Sequence, residues 1–306
     1  MAQNEAPIIL DETEQKIIDI IDAHRDQIID FAKDIYTHAE LGYKEFRTAE
    51  KFANFMKALG LPTKEHLAVT GVKAYLNEEK KDNVSLALIG ELDALRIPEH
   101  KYANPETQGA HCCGHHAQLA GVIGAAIALT NPEVKEKLDG QVVLFAVPAE
   151  EYGEIEFKNK LTDEGKIKYG SGKCELIRIG AFDDIDLDIV HHIGDKDISG
   201  GSTDVGDVQH IQPVLTFNTG GKVSGLHSVD FDIVDDELAY VVTAKIFALS
   251  AYRLLKNGAE KAKEVVENYH PIFTKDAYIQ YMNSFISVEG GSPTEINAPR
   301  GCAVIL

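Results

Sequence analysis

Apolar positions recur at helical spacing through residues 11–40, where Ile17, Ile18, Ile21, Ile28, Ile29, Phe31 and Ala32 share one face. Glu40-Leu-Gly-Tyr interrupts that pattern. A second helix is expected from Glu45 to Leu59, stopped by Gly60 and Pro62. β-rich runs then extend from Val69 to Leu76, Val84 to Ile89, Val142 to Val147 and Ile185 to Val190, with a weaker one from Val214 to Phe217. A small-residue helix from about Ala117 to Leu129 separates the second and third runs, and another from about Glu237 to Leu255 follows the last. Strands alternating with helices predict an α/β fold in three layers, a mostly parallel sheet flanked by helices. The stretch from Val288 to Leu306 carries Gly-Gly, two prolines and little pattern. One folded domain over 1–287 and a loosely structured C-terminal tail over 288–306 are therefore expected.

Composition narrows the classes. The 306 residues are 44% apolar and 26% charged, ordinary values that exclude a disordered or fibrous chain. Forty-nine acidic against 30 basic residues give a formal charge of −19, which repels phosphate backbones and anionic lipid. No nucleic-acid or membrane partner is expected. The N-terminal stretch shows no basic region followed by an apolar one, and no uninterrupted run of 18 apolar residues occurs. The four cysteines, Cys112, Cys113, Cys174 and Cys302, form no disulfide framework, so a cytoplasmic setting is expected.

The ends of the apolar runs are chemically loaded. Ile89 leads into Gly90-Glu-Leu-Asp, Val147 into Pro148-Ala-Glu-Glu, and Val190 into His191-His192. The helix near Ala117 is preceded by His111-Cys-Cys-Gly-His-His. In open α/β sheets the site lies outside the carboxyl ends of the strands, so carboxylates, imidazoles and a thiol should meet on one rim. Each piece also has a plain reading: buried cysteine is common in cores, clustered histidines cap helices, and paired glutamates are usually solvated. Cys113-x-His115 has no second pair to complete a zinc finger. Phosphate-loop, dinucleotide, H-E-x-x-H and G-x-S-x-G motifs are absent.

The ordered set Glu40-Leu-Gly-Tyr-Lys-Glu, Gly90-Glu-Leu-Asp-Ala-Leu, His111-Cys-Cys-Gly-His-His, Pro148-Ala-Glu-Glu and Gly201-Ser-Thr-Asp-Val-Gly-Asp resembles the M20 metallopeptidases. The resemblance covers about residues 15 to 260. It points to the branch of amidohydrolases that cleave N-acyl amino acids, especially aminobenzoyl-glutamate hydrolase-like proteins. It implies Cys113, His115, Glu151, His192 (with His191 the second choice) and His227 as metal ligands. It further implies Glu150 as general base and Asp93 as the acid that orients a ligand. Two divalent ions would be held, zinc first, with manganese or cobalt also admitted by the carboxylates. The implied substrates are small N-acyl amino acids, aminobenzoyl-glutamate-like conjugates or dipeptides.

Three departures from the family pattern stand out. Gln118 lies where many members carry a histidine, and no ligand role is expected for it. Glu91 stands where relatives carry His or Asp, and is left outside the ligand set. The family's lid domain, normally inserted after the His192 strand, is missing: residues 193–200 join the two halves directly, with the junction near 198–202. In the family the lid supplies dimer contacts, an oxyanion-stabilising histidine and groups that grip the substrate carboxylate. A lid-less monomer with weakened hydrolysis is therefore expected. The alternatives are a metal-binding scaffold without turnover, and a binding module whose rim residues hold no metal.

Overall fold

The computed structural model describes residues 9–194 and 203–286. The junction near 198–202 and the tail 288–306 lie outside them. Among the described residues, the helices of seven residues or more are α1 Glu12–Ala23, α2 Arg25–Tyr36, α3 Phe46–Ala58, α4 His115–Leu129, α5 Ile155–Asp163, α6 Gly172–Arg178, α7 Val242–Leu255, α8 Glu260–Asn268 and α9 Lys275–Phe285. A six-stranded sheet is built from β1 Thr63–Leu67, β2 Gly71–Leu76, β3 Ser85–Glu91, β4 Gln141–Val147, β5 Leu187–Ile193 and β6 Val214–Thr219, in the order β1-β2-β4-β3-β5-β6. The last four strands are mutually parallel, while β1 and β2 run antiparallel at one edge.

The central strands are continuously apolar because both faces are covered. Successive side chains point to opposite faces, and the cores divide accordingly. Leu86, Leu88, Val142, Leu144 and Ala146 join the core under α1, α2, α4 and α7. Ala87, Ile89, Val143, Phe145 and Val147 join the second core with Leu161, Leu176, Ile177 and Tyr278. The expected mostly parallel three-layer fold is observed.

Local departures from the expected elements have local causes. The helix expected across residues 11–40 breaks at His24, which has φ −105° and ψ 13°, and becomes α1 and α2. The run expected from Val69 begins at Gly71, because Ala68 and Val69 have positive φ in a turn joining β2 to an additional edge strand, β1. Among the described residues, Glu237–Leu255 is the one helix long and apolar enough to cross a membrane, yet more than half of it is buried. Its apolar character serves packing: the small residues of α4 let it approach closely. A Cβ at Gly121 would lie 2.5 Å from Thr243 Cγ2, and one at Gly124 would lie 2.5 Å from Ala244 Cβ.

At the end of the sheet away from the rim, Asp188 on β5 is buried and accepts a hydrogen bond from Gln212 Nε2 at 2.6 Å. Burial pushes its carboxyl up to about 7, against the pull of Gln212 and Lys73. The native protein then keeps a proton that the unfolded chain releases near pH 4. Stability should fall as pH rises through this window and level off above about 7, a loss of up to about 4 kcal/mol. In Asp188→Asn, denaturant titrations from pH 4 to 8 should lose that decline; an unchanged slope would contradict the assignment.

Candidate metal centre

The parallel strands deliver their carboxyl ends to one rim. β3 ends at Glu91 and leads to Asp93, β4 leads to Glu150 and Glu151, and β5 carries His191 and His192. Across from them, α4 starts at His115 behind Gly114, whose φ is +92°. Glycine is required there for both conformation and space, because a Cβ would sit 2.1 Å from Ile193 Cγ2. His227 reaches the rim from a loop; its N–H donates to Cys112 O at 2.8 Å, and its backbone is left-handed at φ +58°.

Cys113 lies at the centre. Its Sγ is 3.3 Å from His192 Nε2 and 3.2 Å from His227 Nε2. His227 Nε2 is also 3.2 Å from Glu151 Oε1. Two groups able to hold an ion share this sulfur: Cys113–His115–His192 and Cys113–Glu151–His227. All five ligand candidates thus meet in one place. His191 turns away, with Nε2 2.7 Å from Thr219 Oγ1.

Asp93 organises the cluster from beneath. Its backbone O is 2.8 Å from His115 Nδ1, its Oδ1 is 3.2 Å from the same nitrogen, and its Oδ2 accepts from Glu151 N at 2.9 Å. With Nδ1 so occupied, His115 presents Nε2 to the cluster. Likewise His192 Nδ1 is 3.2 Å from Ile193 O, which leaves Nε2 facing Cys113. The donor set fits a cation. His115 Nε2 and Glu151 Oε1 are buried and make no well-aligned hydrogen bond, facing only the other candidate donors Glu91 Oε2 and His227 Nε2, and thiol, imidazole and carboxylate together suit zinc-like ions. Burial pushes the Cys113 thiol up to about 12, so a nearby cation is what would favour its thiolate.

Glu150 stands on the other side of His115, with Oε2 3.8 Å from Nε2. Burial, then the Glu91 carboxylate, push it up to about 9. Glu91 is closer than the sequence indicated. Its Oε2 lies 3.0 Å from His115 Nε2, and Glu91, His115 and Glu150 form a third candidate group. Its carboxylate is already engaged: Gln118 Nε2 donates to Oε2 at 2.8 Å, and buried Lys173 donates to Oε1. Gln118 also accepts from Glu91 N at 2.8 Å, which gives it a clamping role. Burial alone would raise the Glu91 carboxyl, but Lys173, His115 and His192 outweigh that and hold it at about 2.

Lys173 and Asp204 were not distinguishable in the sequence. Lys173 Nζ bridges Glu91 and Asp204, and Asp204 also takes Lys173 N at 2.9 Å and Ser171 Oγ. Neither Gly170-Ser-Gly-Lys nor Gly201-Ser-Thr-Asp signals an ion pair. Their partnership exists only because α6 and residues 203–205 pack side by side.

A cavity of about 520 Å³ opens over the cluster, with Val190, Val205 and Leu226 supplying apolar wall and Thr216 and Asn218 polar positions. A second cavity of about 580 Å³, lined in part by Leu41, Leu95, Arg96, Glu154 and Phe157, shares Glu151 with it.

Fold and donor set together define an α/β protein with a candidate two-metal rim. The chain belongs to peptidase family M20/M25/M40, whose description matches residues 87–299. It is 35% identical over 133 residues to IAA-amino acid hydrolase ILR1-like 5 of Arabidopsis thaliana, covering 42% of this chain and 29% of that one. It is 28% identical over 182 residues to one of the p-aminobenzoyl-glutamate hydrolase subunits of Escherichia coli, covering 58% and 34%. The matched region spans about a third of these relatives' length. Among solved structures it resembles a dinuclear metal-binding peptidase of the M20 family from Bacillus subtilis, with TM-score 0.62, 15% identity, and 76% of this chain and 98% of that one covered. Macrostomum lignano glutaminyl cyclase shares the fold at TM-score 0.51 and 13% identity, with 84% and 97% covered.

Proposed function

We propose that this chain carries the catalytic machinery of a metal-dependent amidohydrolase acting on N-acyl amino acids, aminobenzoyl-glutamate-like conjugates or dipeptides. The observation that carries the reading is Cys113 shared between two ligand groups, with the carboxylic acid of Glu150 buried beside them. The similarity to hydrolases of amino-acid conjugates supports the substrate class. Cys113, His115, Glu151, His192 and His227 hold two divalent ions, zinc first, with manganese or cobalt as alternatives. When bound, the ions supply Lewis acidity toward the amide carbonyl and a water of lowered pKa.

The remaining work falls to the chain's own groups. Glu150 takes a proton from the attacking water and returns it to the leaving nitrogen. Burial and the Glu91 carboxylate raise its carboxyl in the metal-free chain; cations bound beside it would pull it back down, leaving it able to accept the proton and pass it on. Asp93 keeps His115 in one tautomer and orientation. Val190, Val205 and Leu226 keep water from one side of the amide. The two cavities meeting at Glu151 support a substrate with an arm on each side of the scissile bond.

Without a lid histidine over the oxyanion, turnover is weakened by about 10²–10³-fold, the usual effect of losing one such donor. Turnover on a panel of N-acyl amino acids, with Zn²⁺ or Mn²⁺ added, should therefore be measurable but well below that of a lid-bearing relative. Equal rates would remove the need for a lid. No turnover with both ions bound would favour the scaffold reading.

A further inference from the structure

The Glu40–Glu45 segment has a purpose that neither the sequence nor the metal reading assigns. Glu45 stands at the N-cap of α3, yet its carboxyl makes no bond to that helix. Glu40 caps it instead, accepting from Arg47 N at 3.1 Å and Thr48 N at 2.8 Å. Glu45 is thereby left to point inward, fully buried. Its Oε1 accepts from Ala149 N at 2.8 Å, and its Oε2 from Thr70 Oγ1 at 2.6 Å.

Ala149 is the residue before Glu150 and Glu151, and it holds a left-handed backbone at φ +49°. A non-glycine residue keeps such a conformation only where its surroundings over-determine it. Here they do. Glu45 takes the N–H of Ala149, Asp93 takes that of Glu151, Gly172 N donates to Ala149 O at 3.0 Å, and Lys158 Nζ donates to Glu151 O at 2.8 Å. Gly42 closes the remaining side, where a Cβ would lie 3.2 Å from Ala149 Cα.

We propose that Glu45 is a positioning residue: with Asp93 it brackets the Ala149–Glu151 turn, so that Glu150 faces His115 while Glu151 faces His227. The inference rests on the metal-centre reading. It makes Glu45 touch neither substrate nor ion; it acts only through the turn.

The test titrates Co²⁺ into the full chain and into Glu45→Gln, Glu45→Ala and Gly42→Ala, recording affinity and visible absorption together with the thermal midpoint. The amide of Glu45→Gln can still accept from Ala149 N and donate to Thr70, so it should keep the wild-type spectrum and most of the affinity. Glu45→Ala should lose about 10–100-fold in affinity, as removal of an orienting partner does, and change the absorption. Should Glu45→Ala not fold, Gly42→Ala presses on the same turn with both carboxylates intact, and should weaken Co²⁺ binding with little change in midpoint. Wild-type affinity and spectrum in Gly42→Ala, or in a folded Glu45→Ala, would overturn the proposal. A wild-type chain that binds no Co²⁺ would instead sink the metal reading, and this inference with it.

Discussion

Glu150→Gln should abolish hydrolysis, lowering kcat by at least about 10²–10⁴-fold, while leaving the ion content unchanged. The two effects separate because of where Glu150 sits. It belongs to neither of the groups centred on Cys113, and its Oε2 lies 3.8 Å from His115 Nε2. The amide has nearly the same shape but cannot take a proton from water. Metal analysis and turnover on one preparation would decide the matter. If Glu150→Gln loses an ion, Glu150 is a ligand, as its grouping with Glu91 and His115 would allow. If it keeps full turnover, another group is the base.

Lys173→Met should cost about 3–5 kcal/mol of stability, a large share of the 5–15 kcal/mol that holds a typical domain together. Lys173 is fully buried and is the counter-charge for two buried carboxylates, Glu91 and Asp204. Burial pushes its ammonium down, but those carboxylates outweigh this and hold it well above the usual lysine range. Methionine fills the space and leaves both negative charges uncompensated. The defect should shrink as pH falls, since protonation removes the charge that Lys173 no longer balances. Urea unfolding of both proteins at pH 8 and pH 5 checks the magnitude and the sign. A loss below about 1 kcal/mol at pH 8 would show that the pair is dispensable.

Much of this architecture could be read from the chain. The parallel strands declared themselves because a strand covered on both faces must be apolar throughout, as from Val142 to Val147. Their ends located the rim, so Glu150, Glu151 and His192 could be placed without coordinates. The short edge strand Thr63–Leu67 was not legible, because the polar run Thr63-Lys-Glu-His carries no apolar alternation. Nor was the break at His24, where the apolar face continues across a change of backbone direction.

At the site, sequence reasoning found groups that sit at strand ends and missed those that act through packing. Lys173 looks like any surface lysine until α6 brings it against Glu91. Glu45 was visible within a motif, but its bond to Ala149 spans 104 positions. The residue type of Glu91 sets it outside the family's ligand pattern, whereas the geometry puts its carboxylate 3.0 Å from His115 Nε2.

Native mass spectrometry of the chain loaded with Zn²⁺, compared with Cys113→Ala, tests the centre most directly. Because one sulfur serves both ligand groups, the wild type should carry two ions and the variant should release both at concentrations the wild type withstands. Two ions retained equally by both proteins, or none held by the wild type, would contradict the shared-thiolate centre.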